Sequence, residues 1–73
     1  MRTKTTPADI GQMVRTHRKR HGMSQAELAM ASGTGVRFIS DLENGKETCE
    51  LGRVLKVLDN LGIEFVNNPD KEG

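Results

Sequence analysis

The sequence predicts one small all-α domain of four to five helices, followed by a short C-terminal β-strand. Three observations carry this prediction. Apolar residues recur at helical spacing in four stretches, around Ile10, Leu28, Ile39 and Val54. Glycines close the stretches at Gly22, Gly33, Gly45 and Gly62. The chain has 73 residues, room for one core, and a domain this small buries only about 60% of its unfolded surface.

The first helix is predicted to start at Thr6-Pro7-Ala8-Asp9. Thr6 is the N-cap, Pro7 suits the first helical position, and Asp9 favours the positive end of the helix. Ile10, Met13, Val14 and His17 form its apolar stripe; His17 has no partners for metal or catalytic work and reads as a packed or half-exposed histidine. The second helix opens on Ser24-Gln25-Ala26-Glu27, a capping box, turns Leu28, Ala29 and Ala31 inward, and stops at Gly33. The third runs from Gly35 or Val36 to Glu43, with Ile39 and Leu42 inside and Asn44-Gly45 as a turn. The fourth runs from Cys49 or Glu50 to Asn60, with an apolar stripe of Leu51, Val54, Leu55, Leu58 and Leu61, widened by Val57.

Ile63-Glu64-Phe65-Val66 then reads as a strand. A lone strand is unstable in water, so it needs a partner, and no other segment reads as one. The same strand of a second copy supplies it, with Leu58, Leu61, Ile63, Phe65 and Val66 at the dimer interface. The alternative is an extended tail packed on the fourth helix. The predicted organisation is a flexible N-terminus at 1–5, one domain at 6–66 and a polar tail at 67–73.

Net charge is only +1, but its distribution is uneven. Residues 1–22 carry +5, residues 23–46 carry −1 and residues 47–73 carry −3. One end can attract phosphate and the other cannot. The single cysteine, Cys49, rules out an intrachain disulfide and fits a reducing compartment. Cys49 near a helix start reads as a small buried residue rather than an activated thiol. No apolar run approaches the roughly 18 residues of a membrane helix, and the charged start MRTKTTPADI has no apolar core like that of a secretory leader. Without a paired acid and base or a metal-ligand cluster, no enzyme, metal or cofactor is expected.

Two short helices joined by a glycine-containing turn make the helix-turn-helix pattern. Ser24-Gln25-Ala26-Glu27-Leu28-Ala29, then Gly33, then Ile39-Ser40-Asp41-Leu42-Glu43-Asn44-Gly45-Lys46, resembles the helix-turn-helix of the phage-repressor/Cro-like (XRE) family. The resemblance implies a lambda-repressor-like DNA-binding domain. Arg37-Phe38-Ile39-Ser40-Asp41-Leu42-Glu43, Val54-Leu55-x-Val57-Leu58-x-x-Leu61-Gly62 and the terminal strand are similar more closely to HipB-type antitoxins. That resemblance implies a homodimeric, autoregulating repressor in the bacterial cytoplasm, associated with the nucleoid. It also implies a HipA-like serine/threonine kinase toxin as partner. The tail after Val66 is short and without aromatic residues, a departure from that pattern.

In such a fold the third helix enters the major groove and its N-terminal residues meet base edges. Arg37 then matches guanine O6 and N7, Val36 a thymine methyl, and Asp41 a cytosine amine, with Ser40 one turn on. Of the two readings of Asp41, a solvated or phosphate-avoiding residue is favoured over the cytosine contact, and Phe38 reads as half core. Ser24, Gln25, Gly35, Asn44 and Lys46 fall where they hold the DNA backbone, which positions without specifying. By the resemblance, Arg18 and Glu43 form a partly buried ion pair that turns Arg18 toward a phosphate. Arg15, Lys19 and Arg20 read as general electrostatics. Two rivals remain: a controller or phage-type regulator without a toxin, and a helix-turn-helix module that binds only protein.

Overall fold

The computed structural model describes residues 5–64. Among them are four helices: α1 Pro7–Arg20, α2 Gln25–Ser32, α3 Val36–Glu43 and α4 Leu51–Asn60. Ile63 and Glu64 follow α4 without regular structure. The rest of the expected strand, Phe65 and Val66, lies outside the described residues, as does the tail 67–73.

Local chemistry sets the helix ends. The Ser24 hydroxyl accepts from the Glu27 amide at 3.0 Å, and the Glu27 carboxylate accepts from the Ser24 amide at 2.8 Å. Thr6 and Asp9 make the same reciprocal pair at α1, so Asp9 caps as well as complementing the helix dipole. Such a cap contributes about 1 kcal/mol. At the other ends, Gly22 (φ 67°) and Gly33 (φ 70°) take the left-handed conformation that lets the chain turn away.

Helix α3 packs between α1 and α2, and α4 packs on α2. Their shared core is Val14, Leu28, Ala29, Ile39, Leu42, Val57, Leu58 and Leu61. Each large side chain buried there contributes roughly 1.5–3 kcal/mol. Ser32, not Ala31, is the inward residue at the end of α2; Ala31 is exposed. The Ser32 hydroxyl donates to the Leu28 carbonyl at 2.7 Å, which removes the penalty of burying it. Helix α4 likewise turns a different edge inward from the expected stripe. Val57 is fully buried, whereas Leu51 and Leu55 are 68% and 47% exposed. The apolar stripe is wider than the surface α2 can cover, and α4 turns its Val57–Leu58–Leu61 edge inward.

Two of the residues expected at a dimer interface lie on this inward edge. Leu58 and Leu61 are 2% and 3% exposed in a single chain, so they leave almost nothing for a second copy to cover. Ile63 is half-buried against the core, and its amide donates to the Leu58 carbonyl at 2.9 Å.

Gly11 is the residue that sets the distance between α1 and α3. A Cβ placed there would lie 2.4 Å from the Leu42 carbonyl oxygen and 2.7 Å from that of Glu43. Only glycine permits this approach, which brings the last turn of α3 against α1.

Candidate nucleic-acid interface

The last turn of α3 is held by side chains from α1 and α2. Arg18 of α1 donates from Nε to Glu43 Oε2 at 2.6 Å and from Nη2 to Glu43 Oε1 at 3.1 Å. Its Nη1 donates to the Met23 carbonyl at 2.8 Å. Gln25, the first residue of α2, donates from Nε2 to Glu43 Oε1 at 3.1 Å. The Glu43 side chain is 3% exposed and that of Arg18 is 10% exposed. This is the bidentate geometry that carboxylate and guanidinium favour.

Burial alone would raise the pKa of the Glu43 carboxyl. Hydrogen bonds from Arg18 and Gln25, with the charges of Arg18 and Arg15, outweigh burial and hold it below its ordinary value. The hydrogen bond to Glu43 likewise raises the Arg18 pKa against the effect of burial. Three donors of Arg18 thus point into the protein.

The opposite end of α3 is free. Gly35 is the N-cap, in extended backbone (φ −116°), and no side chain caps the helix. Val36 is 48% exposed and Arg37 is exposed. Phe38 is half-buried and packs against the core. Ser40 and Asp41 are half-buried one turn further along. The Asp41 carboxylate lies 3.5 Å from Lys46 Nζ. Asn44 is the exposed C-cap of α3. Gly45 (φ 80°) then turns the chain so closely that a Cβ would lie 3.0 Å from Ala8 Cα.

The structure therefore gathers Arg18, Gln25 and Glu43 into one cluster, and presents Val36 and Arg37 at the exposed start of α3. The Ser24 hydroxyl is occupied by its cap, leaving it a hydrogen to donate. Gly11 and the approach of Arg15 to Glu43 escaped the sequence reading. A glycine inside a helical pattern was the available signal for the first. For the second there was none, because Arg15 and Glu43 are far apart in the chain.

Other chemistry is sparse. Among the described residues no cluster of three His, Cys, Asp or Glu side chains is placed to hold a metal. Cys49 lies half-buried in a shallow groove of about 120 Å³ with Pro7, Ile10, Leu42, Lys46, Glu47 and Val54. That volume is below the several hundred Å³ usual for ligand sites. No helix of the described residues is long and apolar enough to cross a membrane.

Residues 14–66 match the helix-turn-helix family HTH_3. The chain is 56% identical over 60 residues to the uncharacterised HTH-type transcriptional regulator y4mF of Sinorhizobium fredii, covering 82% of this chain and 79% of that protein. The fold is similar to the restriction-modification controller protein C.AhdI of Aeromonas hydrophila, with TM-score 0.70 and 33% identity, over 80% of this chain and 84% of that one. It is also similar to a serine-to-alanine variant of HipB in complex with an O2 20mer, with TM-score 0.79 and 25% identity, over 97% of this chain and 99% of that one. With its helix-turn-helix matched over more than half its length, the chain belongs to the XRE-like helix-turn-helix family of DNA-binding transcriptional regulators.

Proposed function

We propose that this chain is a sequence-specific repressor that reads a pseudo-palindromic operator with α3 as a homodimer. In this reading it is the antitoxin of a HipBA-type pair, represses its own operon in the cytoplasm, and binds a HipA-like serine/threonine kinase toxin. The observation that carries the DNA reading is the asymmetry of α3. Its C-terminal end is clamped by Arg18 and Gln25 through Glu43, while its uncapped N-terminal turn offers Val36 and Arg37. A rigidly held helix with a free, cationic first turn matches what the major groove accepts. Gly35, which precedes that turn, and Gln25, Asn44 and Lys46 at the other end of α3 are the proposed backbone contacts, and the positive first third of the chain adds general attraction.

Arg37→Ala is expected to lower the preference for DNA upstream of the chain's own gene over scrambled DNA by about 10- to 100-fold, the value of one bidentate guanine contact. Fluorescence anisotropy at two salt concentrations measures it. Equal weak binding of both DNAs by the wild type, unchanged by the substitution and by salt, would point to a module that binds only protein.

For the dimer, the outer face of α4 is the favoured contact. Leu51 and Leu55 stand one turn apart there, beside a groove of about 320 Å³ lined by Leu55, Leu58, Asp59, Ile63 and Glu64. Phe65 and Val66 follow directly in sequence and belong to the same proposed interface. Leu55→Glu should therefore give a folded monomer by sedimentation. A variant that remains dimeric sinks this placement.

The antitoxin reading draws on the likeness to HipB, which is found in a HipA–HipB–O2–O3 complex. The greater identity to C.AhdI favours a second reading, a controller without a toxin partner. An adjacent gene for a kinase that co-purifies with the chain supports the first; an adjacent methyltransferase or endonuclease supports the second.

A further inference from the structure

Helix α3 carries two acids, and only one of them faces solvent. Glu43 is buried in the Arg18 cluster, whereas the Asp41 side chain is 33% exposed. Asp41 stands one turn after Arg37, on the helix proposed to enter the groove. A carboxylate there opposes the phosphates of any DNA that approaches.

Its partner is set by the turn that follows. Lys46 donates its amide to the Asp41 carbonyl at 3.0 Å, with Gly45 at φ 80° reversing the chain between them. This brings Lys46 Nζ to 3.5 Å from Asp41 Oδ2, with the lysine side chain 54% exposed. An exposed pair of this kind is weak and readily exchanged. It cannot lock the protein, but it takes one cation out of the attraction toward phosphate.

We propose that Asp41 is a selectivity gate in which its carboxylate stands in for a DNA phosphate at Lys46. On non-operator DNA the ammonium must leave Asp41 to reach the backbone, and Asp41 is then left unpaired in the groove. On an operator that presents a cytosine amine at this position, Asp41 accepts from the base and Lys46 is released to a phosphate. The gate rests on the reading of α3 as the DNA-reading helix.

The test is anisotropy with DNA upstream of the chain's own gene and with scrambled DNA, over a salt series. The proteins are wild type, Asp41→Asn, Lys46→Gln and the double variant, each checked for fold by circular dichroism. Asp41→Asn is expected to tighten binding to scrambled DNA roughly tenfold and to steepen its salt slope by about one phosphate contact. Operator binding should stay equal or weaken. Lys46→Gln should weaken scrambled binding more in the Asp41→Asn background than in the wild type. A selective wild type whose preference Asp41→Asn leaves unchanged, or whose binding to both DNAs it weakens equally, overturns the gate alone. A wild type that does not distinguish the two DNAs overturns the gate together with the reading beneath it.

Discussion

Glu43→Ala is expected to destabilise the domain by about 3–5 kcal/mol, because it leaves the Arg18 guanidinium buried without its carboxylate. A domain of 73 residues has only about 4–11 kcal/mol in total, so this is a large share of its stability. The melting temperature should fall by at least about 12 °C. The loss reaches function by a short route, since the same carboxylate joins α1, α2 and the last turn of α3. The interaction also has a pH signature. The folded Glu43 carboxyl lies below its ordinary value of 4.5, so the stabilisation is complete above that value. It is lost as pH falls below 4.5 and through the lower folded value. Stability of the wild type measured by urea unfolding should therefore drop below pH 4.5, by more than that of Glu43→Gln. A melting shift below about 4 °C for Glu43→Ala, or identical acid limbs for wild type and Glu43→Gln, would show that the cluster does not hold α3.

Gly11→Ala is expected to have the next largest effect. In an open helix this substitution stabilises by about 1 kcal/mol, through helix propensity. Here the new methyl would meet two backbone carbonyls at 2.4 and 2.7 Å, inside the 3.4 Å at which ordinary contact begins. Backbone atoms of a packed helix cannot rotate away as a side chain would, so α1 and α3 must separate. Overpacking of this kind costs about 1–3 kcal/mol, and the rigid partner puts Gly11 at the upper end. The separation also lengthens the reach from Arg18 to Glu43, so DNA affinity should fall along with melting temperature. A stabilised Gly11→Ala variant with unchanged DNA affinity would refute the close approach as the element that seats α3.

The helix boundaries and caps were legible in the sequence because their causes are local. Ser24 and Glu27 are three residues apart, and a glycine in the left-handed region ends a helix wherever it stands. The Arg18–Glu43 pair came from family resemblance, since nothing in the spacing of the two residues brings them together. The face of α4 was misjudged for a related reason. Its stripe of five leucines and valines is apolar over more than one face, so periodicity alone does not say which edge the rest of the chain covers. Ala31 and Ser32 were confused likewise: composition favours the alanine inside, whereas the bond from Ser32 to the Leu28 carbonyl lets the serine be buried.

By itself, then, the sequence determined where the four described helices lie, most of their ends and the membership of the chain in its family. These depend on hydrogen bonds within a few residues and on the order of side chains along the chain. Tertiary structure alone decided that Glu43 is shared by three elements, that Gly11 sets the seat of α3, and that Leu58 and Leu61 belong to the core. Each of these depends on how far one helix stands from another and about which axis it is turned. Close packing of the whole core sets those quantities, and no window of sequence contains them.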